Sequence, residues 1–533
     1  MTRAILFLAI LFLPGQTVSW SAEPWNGQPG VQHITPAPRG PMARLNDGSV
    51  GLFSGASCVV WNSEQAEWGG QFTLRDAAGE QVVITPDHNW VIRLSSGKLA
   101  ALGWRRVESF AKVEGGAQME FFLRLSEDDG RTWSEPRPVQ LPEERYHIKF
   151  VNRTPIQLRS GRIVVPVCNY FGKAPEYDFT NRPFLAQGAW GSHVFYSDDE
   201  GLTWDRSHDD VVVHMADFGY ADMWATFVEP SVIELNDGRV MMIGRTRMGQ
   251  LFQSFSTDGA VSWSVPEPMG LSASFAPAEI ARIPSTGDLL IAWNQLSTEE
   301  VRDGLGRHRL TVAISSDEGR TWGNFKNLYA LDDYNYIQPA VPQPALPGKQ
   351  WIKYGTGILN WEFDSSIGKV GTRGDVGAEN VYVLPEDVER YHREPAFVRV
   401  CYPIISVTEQ QVLVSYSMGM PSPITNVMDV FPVQWLYEPI LPDGPYGRLE
   451  YDGQPVDGVE ITIEDGEPFG WADVLGVAVG EESKRLRVPV RRYLARHGIV
   501  VPDDAWRADD GPGGTLHAFP PVPAGTNPVR GQQ

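Results

Sequence analysis

The chain is 533 residues long, with 42% hydrophobic and 21% charged residues and abundant Gly (53), Pro (41) and Trp (18). That balance excludes an intrinsically disordered chain and fits many strands joined by tight turns. The formal net charge of −21 disfavours nucleic acid as a partner, so an anionic substrate would have to be held by a local cationic site.

The N-terminus carries Arg3, an apolar run from Ala4 to Leu13 and small residues around Ser19 to Ala22, the layout of a secretory signal peptide. Residues 1–22 are therefore expected to be removed, and the mature chain to be secreted or periplasmic. The apolar run is short for a bilayer span, and no later run is long and apolar enough to make one, so no membrane span is expected. The three cysteines are Cys58, Cys168 and Cys401. Their odd number, wide separation and lack of a CxxC pair argue for buried thiols rather than a disulfide framework or a zinc site.

From about residue 35 onward two phrases alternate. One is a strand, a tight turn and a second strand: "PMARLNDGSVGLF", "WVIRLSSGKLAALGW", "PIQLRSGRIVVPV", "PSVIELNDGRVMMIG", "AEIARIPSTGDLLIAW" and "YPIISVTEQQVLVSY". The other is a polar turn: "SEDDGRTW" from Ser126, "SDDEGLTW" from Ser197, "STDGAVSW" from Ser256 and "SSDEGRTW" from Ser315, at intervals of 71, 59 and 59 residues. Such a period suits a propeller blade of about four strands, and a closed ring of blades hides most sheet edges. The predicted fold is all-β: a six-bladed β-propeller of four-stranded antiparallel blades over residues 35–440, with "VFPVQWLY" as the last strand closing the ring and a short C-terminal extension over 441–533.

In the polar turns, Asp and Ser suit local backbone hydrogen bonds, Gly suits φ > 0 and Trp suits burial against the blade. Four similar acids on four outer hairpins cannot all reach one site, so a bracing role is expected. Ala260 stands where the other copies have Gly, which predicts a strained or reshaped turn.

The pattern Ser-x-Asp-x-Gly-x-Thr-Trp resembles the Asp-box of the sialidase (neuraminidase) superfamily, and with the six phrases the resemblance covers roughly residues 35 to 440. The Asp-box is specific for propeller-type folds rather than for sialidase activity. The resemblance implies a set of site residues. In "EPSVIELNDGRVMMIGR" it implies Glu229 as the glutamate partner of the nucleophile and Arg245 as a carboxylate-binding arginine; the hairpin between them would place both at one end of one blade. A second arginine is implied just before the strand that leads into the fourth polar turn, which is Arg309, with Arg307 as a nearby alternative. Tyr402, opening the inner strand of the last blade, stands where sialidases carry the tyrosine nucleophile; Tyr334 and Tyr336 compete for the role. "PRGPMARLNDG" resembles the opening Arg-x-Pro phrase and points to Arg39, with Arg44 as the fallback and Arg93 less suited. Asn152 and Arg153, in "FVNRTPIQL", open another inner strand and are placed along the channel.

The chemistry is coherent with these residue types. A sialic acid carries a carboxylate on its anomeric carbon, which guanidinium groups bind by charge-assisted hydrogen bonds. A carboxylate nucleophile would be repelled by that charge; a neutral Tyr is not, and a Glu beside it can take its proton. The resemblance also implies an acid/base Asp in a loop of the first blade. Asp87 is the choice, with His88 beside it as a channel residue; Glu64, Glu67 and Asp76 are alternatives, Asp76 in what resembles a decayed Asp-box. Two insertions, 168–190 and 331–398, are rich in aromatic residues and are expected to shape the cleft. In the extension, "VPVRRYLARHGI" reads as a short amphipathic helix.

The function expected is that of a secreted, retaining exo-α-sialidase-like glycoside hydrolase. Its partners would be sialylated or other acidic glycans, and the mechanism requires no metal and no cofactor. Two alternatives stand beside it: a propeller hydrolase or lyase acting on another acidic sugar such as a uronate, and a glycan-binding propeller without turnover.

Overall fold

The computed structural model describes residues 30–63, 65, 67–85, 89–106, 119–139, 149–150, 154–170, 190–214, 227–246, 250–296, 307–330, 350–355, 399–419 and 424–438, together with short strands between 450 and 518. These residues form a six-bladed β-propeller. Blade 1 runs outward from the axis as Met42–Arg44, Val50–Ser54, Ser57–Asn62 and Glu67–Thr73. Blade 2 is Asn89–Arg93, Leu99–Arg106, Met119–Ser126 and Arg137–Pro138. Blade 4 is Val228–Glu234, Val240–Arg245, Gln250–Ser256 and Glu267–Ser272, and blade 5 is Glu279–Arg282, Leu289–Trp293, Arg309–Ser315 and Gly323–Ala330.

Blade 3 is built around Ile163–Tyr170 and Trp190–Ser197, with Ile156–Gln157 on its inner side and Asp209–His214 on its outer side. It gains one more edge strand, Gln350–Gly355, paired antiparallel with Asp209–His214 from Asp209↔Gly355 to His214↔Gln350. That strand belongs to the 331–398 insertion, so the insertion between blades 5 and 6 contributes backbone to blade 3.

Blade 6 joins the two ends of the propeller. Arg399–Val407, Gln411–Gly419 and Ile424–Pro432 are its inner three strands, and the outermost is the N-terminal Gln32–Ile34, paired with Met428–Val430. The expected closing strand "VFPVQWLY" is thus corrected. Strand ends at Pro432, residues Val433–Tyr437 form a 3₁₀ turn, and the ring closes through a strand ahead of blade 1. A buried carboxylate fastens this closure: Asp429 accepts from Tyr416 Oη at 2.9 Å and meets His33 Nδ1 at 2.6 Å.

Hydrophobic residues fall continuously along the middle strands because both faces of each blade are covered. In Val240–Arg245, Val240 and Met242 pack with blade 3 residues such as Val164 and Val194, while Met241 and Ile243 pack with blade 5 residues such as Ile291 and Trp293. The core is therefore a ring of inter-blade layers rather than one central cluster.

The polar turns join the third and fourth strands of blades 2 to 5. In each, the Ser hydroxyl donates to the Asp at the third position, Asp128, Asp199, Asp258 or Asp317 (2.7–2.8 Å), and accepts the backbone N–H of the fifth residue at 2.8 Å. The same Asp accepts the backbone N–H of Thr132, Thr203, Ser262 or Thr321.

The residue after that Asp does a different job, reaching back to the hairpin of the preceding blade. Asp129 accepts from Asn46 N and from Arg93, Glu200 pairs with Lys98 at 2.8 Å, and Glu318 accepts from Asn236 N at 2.7 Å. In the third copy Gly259 substitutes its carbonyl, which accepts from Arg162 Nη1 at 2.8 Å. Ala260 keeps the turn's hydrogen bond and takes φ 72°, so this copy is strained rather than reshaped.

Asp76, expected in a decayed copy, does not occupy the equivalent place. It follows the fourth strand of blade 1 and caps its own turn, accepting from Ala78 N and Glu80 N at 2.9 Å each. The corresponding junction in blade 1 is the one between Ser57–Asn62 and Glu67–Thr73.

Cys58, Cys168 and Cys401 are buried free thiols. Beyond the propeller, Gly470–Ala472, Leu486–Val488, Trp506–Ala508 and Leu516–Ala518 form a small four-stranded sheet. Of the stretch expected as an amphipathic helix, residues 489–499 lie outside the described residues. Among the described residues no helix is long and apolar enough to cross a membrane.

Candidate active site

The innermost strands start at one rim of the ring and end at the other, which carries the polar turns. Glu229 and Tyr402 stand near the starts of the innermost strands of blades 4 and 6. Each sits in a β-bulge, where the ladder skips between Val228 and Ser231 and between Cys401 and Ile404. Each takes a left-handed backbone, φ 51° for Glu229 and 59° for Tyr402, and each precedes a proline, Pro230 or Pro403. Left-handed φ costs a residue with a Cβ about 1–2 kcal/mol, and such strain concentrates where a side chain must be aimed.

The two side chains meet. Tyr402 Oη donates to Glu229 Oε1 at 3.1 Å. Glu229 Oε2 forms an ion pair with Arg245 Nη1 at 2.9 Å, with both side chains less than a tenth exposed. Arg245 is delivered there by the hairpin of blade 4, which pairs it with Val228. The guanidinium of Arg307 lies over the Tyr402 ring, 5.7 Å from its centroid. Burial of the Tyr402 hydroxyl and the negative charge of Glu229 push its pKa up, while Arg245 and Arg307 pull against them. Tyr402 is thus held as the neutral phenol, with a carboxylate placed to receive its proton.

The backbone around this group is tied across blades. Val400 N donates to Arg307 O at 2.8 Å, and Asn294 Nδ2 donates to both Arg309 O and Val400 O at 2.7 Å. The buried thiol of Cys168 lies in the same environment, its pKa pushed up to about 12 by burial and by the charge of Glu229.

The structure brings Glu229, Arg245 and Tyr402 together and places Arg307 against them. Arg309 is fully buried as the first residue of its strand, paired with Ala330. Arg39 is exposed ahead of blade 1's innermost strand. Arg44 and Arg93 lie at the opposite ends of their innermost strands, on the polar-turn rim: Arg44 pairs with Glu409, and Arg93 binds Asp129 and Arg44 O. Glu67 is exposed at the start of an outer strand. Asp87, His88, Asn152, Arg153, Glu64, Tyr334 and Tyr336 lie outside the described residues. Among the described residues no group of three or more His, Cys, Asp or Glu could hold a metal ion.

Two features carried no signal in the sequence. Phe275 lies beside both Arg245 and Arg307. Thr154, just ahead of blade 3's innermost strand, donates to Glu279 Oε1 of blade 5 at 2.6 Å.

The fold and its repeated turns define a BNR-repeat β-propeller. Residues 55–357, more than half of the chain, match the BNR repeat-like domain family, and the chain belongs to that family. Among solved structures, it is similar to a Dyadobacter fermentans protein of unknown function, with 16% identity, a TM-score of 0.44 and coverage of 76% of this chain and 99% of that one. It is similar also to the Trypanosoma rangeli sialidase in complex with sialic acid, with 12% identity, a TM-score of 0.40 and coverage of 77% and 60%. A third is the intramolecular trans-sialidase of Ruminococcus gnavus, with 10% identity, a TM-score of 0.41 and coverage of 76% and 96%.

Proposed function

We propose that the protein is a retaining exo-α-sialidase-like glycoside hydrolase that removes a terminal sialic acid, or a similarly carboxylated sugar, from glycans outside the cytoplasm. The observation that carries this reading is Glu229 bridging Tyr402 and Arg245. A neutral phenol with a carboxylate base on its hydroxyl is a nucleophile suited to an anomeric carbon that already bears a negative group. Arg245 and Arg307, with Arg39 from blade 1, hold the substrate carboxylate; the position of Arg307 over the Tyr402 ring favours it over Arg309 for this role.

In the first step Tyr402 Oη bonds to the anomeric carbon as its proton passes to Glu229 and the glycosidic C–O bond breaks. The departing oxygen takes a proton from an acid, for which Asp87 is proposed from its place in the chain. Water, giving a proton to the conjugate base of that acid, then attacks the same carbon from the opened face, and the bond between the anomeric carbon and Tyr402 Oη breaks. The phenolate regains its proton from Glu229, and net configuration is retained.

The test is release of a fluorophore from an α-linked sialoside, with Tyr402→Phe and Glu229→Ala as controls. Turnover by the wild type that both variants abolish is the expected result. Activity on a uronate glycoside alone, or binding of an acidic glycan without turnover, would replace this reading with one of its two alternatives.

A further inference from the structure

We infer that Phe275 is a positioning residue that fixes Arg245 and Arg307 as one carboxylate-binding unit; this rests on the reading of the site given above. Phe275 lies in the 273–278 connection between blades 4 and 5. Ala276 N donates to Ser274 O at 2.7 Å, which closes a three-residue turn centred on Phe275. Ser274 N donates to Asn294 O at 3.0 Å and fastens that turn to the end of the second strand of blade 5, just past Trp293. Both neighbours of Phe275, Ser274 and Ala276, are buried. A turn closed this tightly leaves its central residue little freedom.

The two ends of Phe275 serve different arginines. Its ring lies under the guanidinium of Arg245, with Cζ 4.0 Å from the ring centroid. Its carbonyl accepts from Arg307 Nη2 at 2.9 Å. Arg245 comes from blade 4 and Arg307 from blade 5, so one residue sets the relation between cations contributed by separate sheets.

The mode of contact matters. A ring stacked on one face of a guanidinium leaves its N–H donors, which lie in the plane, pointing outward to an anion. It also blocks rotation of that plane, so donors are spared the ordering cost when a carboxylate arrives. Glu229 fixes Arg245 at one edge through Nη1, and the ring fixes the plane. Phe275 touches the arginines and acts on the substrate through them.

The side chain and the carbonyl can be separated by mutation, since any substitution keeps the carbonyl on Arg307. Phe275→Leu keeps apolar bulk but removes the π face; Phe275→Tyr keeps the ring. On a fluorogenic α-sialoside, Phe275→Leu is expected to raise KM about 10-fold while kcat falls less than about 3-fold, because binding of the carboxylate weakens in ground and transition states alike. Phe275→Tyr should stay within about 2-fold of wild type in both constants. The dissociation constant of free sialic acid, measured by calorimetry, should rise in step with KM for Phe275→Leu alone.

A Phe275→Leu protein with unchanged KM and unchanged sialic acid binding overturns the inference and leaves the functional reading standing. Equal losses in Phe275→Leu and Phe275→Tyr, tracking a fall in melting temperature, also overturn it, since that is the mark of packing alone. A folded wild type that neither turns over the sialoside nor binds sialic acid overturns the functional reading, and this inference with it.

Discussion

Glu229 and Tyr402 lie in different blades, 173 residues apart, yet share one local geometry: a bulge, a left-handed backbone and a following proline, ending in a hydrogen bond of 3.1 Å between their side chains. A regular strand alternates side chains between its faces, and each face of these blades is filled by the neighbouring blade. The bulge re-aims one side chain of the innermost strand, and the same device at two blades lets the two side chains meet. The strain at both positions is the local cost of turning the two side chains toward each other.

If the pair acts as nucleophile and base, its two members are one unit. Tyr402→Phe and Glu229→Gln should each lower kcat on an α-sialoside by about 10²–10⁴-fold, with the circular dichroism spectrum unchanged. The double variant should lose little more than either single one, because removing the base disables a nucleophile already lost. Losses that multiply would show that the two residues act independently. Because the Tyr402 pKa is raised, the rate should not climb as pH rises toward 10; a rate increasing with phenolate formation would contradict proton transfer to Glu229.

The blades were legible because their signal is repeated and local. The hairpin phrases carry continuous apolar runs such as "RVMMIG", and the polar turns carry hydrogen bonds among neighbours in sequence. Glu229 and Arg245 could be paired in advance since a single hairpin joins them. What was not legible depends on contacts between blades. The closing strand, Gln32–Ile34, is three residues long, too short to show a period. Arg307 and Arg309 are two residues apart and so share a strand face; only their depth separates them, Arg309 lying within the ladder and Arg307 ahead of it. Nothing in "SFAPAEI" marks Phe275, whose role depends on how blade 4 meets blade 5. The residue after the third-position Asp of each polar turn likewise reads as part of its own hairpin until the preceding blade is seen beside it.

The two arginines should separate by experiment. Arg307→Ala is expected to raise KM for the acidic sugar by about 10–100-fold, the loss of one or two hydrogen bonds to a charged group, and, because Arg307 is itself buried and holds the Phe275 carbonyl, to lower the melting temperature as well. Arg309 is fully buried within the ladder, and Arg309→Ala should act on the fold alone, lowering stability by about 2–4 kcal/mol in urea denaturation with KM of the folded protein unchanged. A KM that responds to Arg309→Ala and not to Arg307→Ala would return the carboxylate to Arg309.

The fifth position of the polar turn offers a test of backbone strain. Gly130 has φ 87°, and a Cβ there would come within 2.6 Å of the buried Phe53 ring. Gly130→Ala combines strain and overlap and should cost about 2–4 kcal/mol. Ala260 already bears the strain at φ 72°, with its methyl packed in the layer that contains Val164. Ala260→Gly releases about 1–2 kcal/mol of strain and forfeits about 0.8 kcal/mol of buried methyl. Its stability should therefore lie within about 1 kcal/mol of wild type. Chemical denaturation of the two variants measures both values, and a large loss for Ala260→Gly would show that the methyl contributes more than its area implies.

The third-position Asp of each polar turn should set the response to low pH. For Asp199 and Asp317 the leading cause is a hydrogen bond from the Thr203 or Thr321 hydroxyl, and the pKa falls, for Asp199 to about 2. For Asp128 and Asp258 burial opposes the shift, but the bonds from Thr132 and Ser126, or from Ser262 and Ser256, outweigh it and the pKa again falls. A carboxyl lowered on folding binds fewer protons in the native state. Its contribution is complete above the unfolded value of about 4 and is lost as pH falls through the folded value. The propeller should therefore lose stability between about pH 4 and pH 2. Asp317→Asn keeps the shape of the turn but cannot titrate there, so it should be less stable than wild type at pH 7 and lose less on acidification. Melting curves at pH 7, 4 and 3 would show the two proteins converging as acid is added; a constant gap between them would mean that Asp317 contributes by shape and not by charge.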